Sequence, residues 1–345
     1  MDRRSASDFD PGVLALFDRY VHGELDRRGF LERAARYAVG GLTAAMLLDA
    51  LSPRFAEAAQ IPPDDKRVAT STIAIDAAKG NGTIKAYLAR PAGKAKARLP
   101  AVLVIHENRG LNPHIEDVAR RLALEGFAAL APDALTSLGG YPGDEDQARA
   151  LFAKLDADKA REDFLAAFAA LRGRPDVTGK VGVIGFCWGG GMTNQLAVRI
   201  PEVAAAVPFY GAQPAVDDVA KIKAPVLAHY ADKDDRINGG IAAFEDALKA
   251  AKARYEVHRY PGTQHGFHND TTPRFQPEAF VAAVVGGIGN IRGAVLGALA
   301  IATVENFGAA YLHPGYTDVY VFVILILVLL FKPGGILGKA VVEKV

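Results

Sequence analysis

The sequence predicts an α/β protein built on a mainly parallel, doubly wound sheet, followed by an apolar helical tail. Three observations predict it. Between about residues 66 and 278, apolar runs of strand length alternate with amphipathic runs of helix length, as in a parallel sheet covered on both faces. Half of the residues are hydrophobic, enough to bury a large core. Beyond residue 279 charge nearly vanishes and no polar face alternates with the apolar one.

Residues 1–59 read as a separate N-terminal segment. It starts with a periodic polar stretch, "DPGVLALFDRYVHGEL". Then come Asp26-Arg27-Arg28-Gly29-Phe30-Leu31-Glu32, the moderately apolar "YAVGGLTAAMLLDAL" and the small-residue site Ala56-Glu57-Ala58. Paired arginines, an apolar stretch and an A-x-A site, in that order, make a twin-arginine export signal. Cleavage is expected near Ala58 or Ala59, and the expected location is exported, periplasmic or extracytoplasmic. An amphipathic helix with two surface arginines is the alternative.

Residues 60–278 carry the α/β pattern. "STIAIDA" and "TIKAYLARP" predict an opening hairpin turned at Gly80-Asn81-Gly82. "LPAVLVIHE" and "AALAPD" read as strands around the helix "HIEDVARRLALEGF". "DEDQARALFAKLD" and "REDFLAAFAALRGR" read as helices, "KVGVIGF" as a strand and "GGMTNQLAVRI" as a helix. "VAAAVPFYG", "APVLAHYAD" and "YEVHRYPG" read as strands, with "GGIAAFEDALKAA" a helix before the last.

Residues 279–345 read as a transmembrane tail. "DVYVFVILILVLLFKPGGILG" holds a nearly unbroken apolar run, Val319 to Phe331, with Tyr320 and Lys332 as interface anchors. The tail would attach the protein to a membrane.

Charge is balanced, 40 basic against 39 acidic residues, which argues against a nucleic-acid partner. A single cysteine excludes an internal disulfide and a cysteine-rich metal site. His106, His114 and His229 are scattered along the chain, so no metal and no cofactor are expected. The partner implied is a small molecule.

The one thiol, Cys187, sits in Gly185-Phe186-Cys187-Trp188-Gly189, between a strand and a helix. A nucleophile on a sharp strand-to-helix turn needs small flanking residues. The helix start favours the thiolate, and the Trp188 amide is placed to donate to an oxyanion. A thiol nucleophile needs a base and a group that orients the base. Downstream, "HYADKDDRI" offers Asp234 as the acid, with Asp232 and Asp235 as competitors, and "YPGTQHGFHND" offers His265 as the base, with His268 nearby. Upstream, His106-Glu107-Asn108-Arg109-Gly110 ends a strand. The amide of Asn108 would be the second oxyanion donor, and Glu107 would bond the resting thiol.

"HENRG", "GFCWGG", "YADKDDRI" and "YPGTQHGF", in that order across about residues 66–272, resemble the dienelactone hydrolase family (carboxymethylenebutenolidase and relatives). The resemblance implies an α/β-hydrolase fold, a triad of Cys187, Asp234 and His265, and Glu107 as the nucleophile's partner. It implies hydrolysis of an ester or lactone through a thioester acyl-enzyme. The family type enzyme binds a substrate carboxylate with arginines. Here Asn269 stands where one is expected after the histidine, with Arg109 and Arg274 as other basic residues. The tail, through "GGIGNIRGAVLG" and "LLFKPGGILG", resembles the end of a branched-chain amino-acid transporter permease. A transport protein with an accessory hydrolase domain is the alternative function.

Overall fold

The structure, a computed structural model, describes residues 5–39, 41–94 and 97–276. The apolar tail expected over 279–345, with its membrane attachment, lies outside the described residues. Among the described residues no helix is long and apolar enough to cross a membrane. Met1–Val257 together with Gln264–Phe275 form one compact unit, which holds every site residue discussed below.

Among the described residues the sheet has eight strands: β1 (Val68–Ala77), β2 (Gly82–Pro91), β3 (Leu99–Ile105), β4 (Ala128–Pro132), β5 (Val177–Phe186), β6 (Val203–Phe209), β7 (Val226–Lys233) and β8 (Tyr255–Gln264). Their order is β1-β2-β4-β3-β5-β6-β7-β8. The hairpin β1–β2 is antiparallel, and so is β2 with β4, whereas β4, β3, β5, β6 and β7 run parallel. β4 is buried at every position, which explains why its sequence is continuously apolar rather than alternating. The hairpin turn is anchored: Asn81 donates to Asp163 from its backbone N–H (2.8 Å) and from Nδ2 (2.6 Å).

Helices cover the sheet where the 3.6-residue period expects them. They are α5 (Pro113–Leu124), α6 (Glu145–Phe152), α7 (Ala157–Arg172), α8 (Trp188–Arg199), the single turn α9 (Asp235–Asn238) and α10 (Ile241–Ala250). α5 starts with Pro113 and is capped by Asn112, whose side chain accepts from the Ile115 amide. α7 turns Phe164, Ala167, Phe168 and Leu171 inward. Each such aromatic or leucine contributes about 1.5–3 kcal/mol on burial.

The N-terminal segment is helical as well: α1 (Pro11–Val21), α2 (Arg27–Ala34), α3 (Ala44–Leu51) and α4 (Phe55–Ala58). α1 buries Val13, Leu14, Leu16, Phe17 and Tyr20, which join Phe30 and Ala34 of α2 and Leu47, Leu48 and Leu51 of α3 in a satellite core. Polar contacts fasten this cluster to the sheet-bearing part. Arg149 of α6 donates to the carbonyls of Tyr20 (2.6 Å) and Leu25 (3.3 Å), and its guanidinium lies 4.1 Å over the Tyr20 ring. Asn108 and Arg109 both donate to the Val21 carbonyl at 3.0 Å. Arg274 pairs with Asp18 at 3.3 Å. Of the two adjacent arginines, Arg27 pairs with Asp146 and Arg28 with Glu32.

Candidate active site

β5 ends at Phe186 and α8 starts at Trp188, so Cys187 alone makes the turn. Its φ is +55° and ψ −115°, a conformation a residue with a Cβ seldom adopts. Two glycines permit it. A Cβ on Gly185 would lie 2.1 Å from the Gly189 carbonyl oxygen, and one on Gly189 would lie 2.4 Å from the Ile105 carbonyl oxygen. The turn thus holds α8 hard against β5 and β3. The Cys187 carbonyl accepts from the amides of Gly190 and Gly191. Trp188 is the first helical residue, so its amide has no intrahelical acceptor. Its ring stacks on His106 at 5.5 Å.

β7 delivers Asp234 and the loop after β8 delivers His265. Nδ1 of His265 donates to Asp234 Oδ2 at 2.6 Å, with both side chains almost fully buried. Asp232 and Asp235, the competing acids, do not carry that bond. His268, the competing histidine, is buried against Phe186, stacked at 4.7 Å. Asp234 thereby fixes the tautomer of His265 and leaves Nε2 facing the thiol.

A third group stands at the thiol that the sequence reading missed. His22, at the C-terminal end of α1, places Nε2 3.7 Å from Cys187 Sγ and 3.3 Å from His265 Nε2. The coordinating atoms of His22, Cys187 and His265 all lie within 4.8 Å of one another. Its Nδ1 is held by the Asp18 carbonyl at 2.8 Å and lies 3.4 Å from the Asp18 carboxylate. The signal was present as the Asp18–His22 pair, one turn apart on an amphipathic helix. Nothing local to it points 165 residues ahead to Cys187.

Glu107 lies on the pocket wall but does not bond the thiol. Its carboxylate accepts from Tyr210 Oη (3.3 Å) and Asn269 Nδ2 (2.8 Å), whereas the groups at the thiol are His22 and His265. The expected Glu107–thiol bond is therefore corrected. Asn269, standing where an arginine was expected, serves to brace Glu107. Asn108 points its side chain at Val21 and shares the pocket wall with Cys187. Arg109 is buried and faces Glu145 at 3.5 Å, and Arg274 is tied to Asp18.

Burial pushes the Cys187 thiol up, but the neighbouring charge of His265 and hydrogen bonds from His22 and His265 outweigh it, drawing the thiol down to about 6. For His265 burial acts downward, and the thiolate with the Asp234 carboxylate reverses it, so the ring is raised well above an ordinary imidazole. Both shifts favour a thiolate–imidazolium pair.

The site opens into a cavity of about 320 Å³. Phe17, Tyr20, Val21 and Arg27 of the N-terminal helices share its wall with Glu107, Arg109, Cys187 and His265.

The family model described as the dienelactone hydrolase family matches residues 84–284, more than half of the chain. The chain belongs to the dienelactone hydrolase family. A protein of Escherichia coli provisionally named carboxymethylenebutenolidase is 36% identical over 230 residues, which span 62% of this chain and 82% of that protein. A provisionally named hydrolase fragment of Escherichia coli, YghX, is 48% identical over 115 residues, 33% of this chain and 97% of the fragment. Among solved structures, a provisionally named dienelactone hydrolase from Klebsiella pneumoniae superposes with a TM-score of 0.54 at 30% identity, covering 61% of this chain and 93% of that one. This likeness agrees with the α/β-hydrolase fold. Two further models match: one described as YqhI-like over residues 1–38, and the branched-chain amino-acid transport permease component over residues 258–330. The dienelactone hydrolase and permease matches overlap over residues 258–284.

Proposed function

We propose that this dienelactone hydrolase family member cleaves a carboxylic ester or lactone with Cys187 as nucleophile, His265 as base and Asp234 as the residue that orients the base. The supporting observation is the strained Cys187 turn facing an imidazole whose far nitrogen is held by a buried carboxylate at 2.6 Å. The thiolate attacks the carbonyl carbon. Negative charge moves to the carbonyl oxygen, where the amides of Trp188 and Asn108 are assigned as donors. Collapse forms a thioester and releases the alcohol oxygen, which takes the proton from His265. His265 then draws a proton from water, and the resulting hydroxide attacks the thioester, returning the thiolate and releasing the acid. Glu107, braced by Tyr210 and Asn269, is assigned to setting the charge of the pocket around the resting thiol.

The test is hydrolysis of a short-chain aryl ester and of dienelactone by the full chain and by Cys187→Ala, with mass spectrometry of acid-quenched enzyme. Activity lost in the variant, with one acyl group on the native chain, supports the proposal. Equal rates overturn it.

We further propose that the catalytic form keeps the N-terminal helices, because a cut after Ala58 or Ala59 would remove Phe17, Tyr20, Val21 and His22 from the site. Delivery across the cytoplasmic membrane by the Arg27–Arg28 pair is a separate proposal. Fractionation of cells producing the chain with Arg27→Lys and Arg28→Lys tests it, and the mass of the recovered native chain shows whether the helices are retained. Anchoring through residues 279–345 rests on the permease match and is tested by whether detergent is needed to extract the chain from membranes.

A further inference from the structure

We propose that His22, Cys187 and His265 form a binding site for a zinc-class divalent cation, with water from the cavity as fourth ligand, and that occupancy of this site switches the hydrolase off. The inference rests on the thiol-hydrolase reading for its consequence, but not for the binding itself.

The first support is the donor set. One thiolate and two imidazoles suit a borderline-soft cation of zinc type. The second is spacing. Zn–N bonds of about 2.0–2.1 Å and a Zn–S bond of about 2.3 Å in a tetrahedral shell set N–N edges of about 3.4 Å and S–N edges of about 3.6 Å. The corresponding separations are 3.3 Å between the two Nε2 atoms and 3.7 Å between Sγ and His22 Nε2. Two edges of one face of such a tetrahedron are thus already set, and the three atoms lie within 4.8 Å of one another.

The third support is what lies behind the ligands. Each histidine uses its far nitrogen for an oxygen partner, His265 with the Asp234 carboxylate at 2.6 Å and His22 with the Asp18 carbonyl at 2.8 Å. Carboxylate or carbonyl partners of this kind fix the tautomer that presents a lone pair to a metal. The two rings are held edge to face, with centroids 4.6 Å apart. The fourth position faces the cavity, since Cys187 and His265 both line it.

One contact competes. Arg236 donates to His22 Nε2 at 2.9 Å. Its side chain is exposed, so it can give up this bond for water when the cation arrives. The triad alone supplies only Cys187 and His265. The third ligand comes from the N-terminal helix, so metal sensitivity is expected to belong to chains that carry α1.

The cation takes the sulfur lone pair needed for attack and the imidazole lone pair needed for proton transfer, so a metal-loaded enzyme cannot acylate. Removal of the ion by a chelator restores both.

The experiment uses the full chain, freed of metal with EDTA. Cobalt(II) is added as the optical probe and zinc as competitor. One cobalt per chain, a thiolate-to-cobalt charge-transfer band and intense visible bands of tetrahedral cobalt are expected. Cys187→Ser should abolish the charge-transfer band. His22→Ala and His22→Gln should each weaken zinc at least tenfold and make ester hydrolysis correspondingly resistant to zinc. Absence of the charge-transfer band overturns the proposal, as does equal zinc affinity in the native chain and both His22 variants. Ester hydrolysis without metal binding leaves the hydrolase reading intact and removes this one. Metal binding without hydrolysis of any ester does the reverse.

Discussion

Cys187 combines three demands that conflict in an ordinary residue: a left-handed backbone, burial and a charge. The glycines meet the first. Gly189→Ala would set a Cβ 2.4 Å from the Ile105 carbonyl oxygen and 2.5 Å from that of His106, so α8 must move away from β3. A loss of about 1–3 kcal/mol is expected, measured by denaturant midpoint, with ester hydrolysis falling alongside because the thiol leaves its partners. The charge is met by His265, which Asp234 keeps oriented. Asp234→Asn preserves shape and removes the carboxylate. Its kcat/KM is expected to fall by roughly 10²–10⁴-fold while the fold remains, read by steady-state kinetics beside circular dichroism. An unchanged rate would show that the 2.6 Å bond is structural only.

Among the elements, α1 forms part of the active-site wall. Its C-terminal carbonyls, Tyr20 and Val21, receive donors from Arg149, Asn108 and Arg109, and its last turn carries His22 to the thiol. Arg149→Met removes the bond to the Tyr20 carbonyl, the one to the Leu25 carbonyl and the cation over the Tyr20 ring. We expect about 1–3 kcal/mol weaker docking of α1. It should appear as faster proteolysis before residue 60 and a raised KM, with kcat less affected. Most elements around α1 are legible in the sequence. The strands and helices from β1 to β8 fall where apolar runs and 3.6-residue periods place them. The elbow, Asp234 and His265 are legible because each sits at a strand end beside a marker, the glycines or the acidic and histidine loops. His22 and the bracing of Glu107 are not legible. Both depend on contacts across more than 100 residues, which no local pattern encodes. Residues 26–58 show the limit from the other side: a pattern read as a leader also encodes helices, of which α2 and α3 share a core with α1.

Across the whole molecule, folding traps titratable groups in apolar surroundings, and the sign of their effect can be worked out. His268 is stacked on Phe186 and lies 4.8 Å from the Phe209 ring. Burial, with the charges of His114 and Arg121 adding to it, holds its imidazole down to about 3 against an ordinary 6.5. Beside it Asp270 is pushed up by burial, but His114 and Arg121 more than reverse this and bring it to about 2. Both groups therefore bind fewer protons folded than unfolded, and stability rises with pH wherever that difference exists. For His268 the window runs from about pH 6.5 down to about 3. For Asp270 it runs from about 3.8 down to about 2. Stability should thus begin to fall once the pH drops below 6.5, before carboxylates titrate, and fall more steeply below 4. His268→Phe, which keeps an aromatic ring between Phe186 and Phe209, should flatten the first part of that fall and leave the second. Thermal midpoints of both chains between pH 7.5 and 3 measure this. Parallel curves above pH 4 would show that His268 is protonated in the folded chain and that its apolar stacking does not exclude the charge.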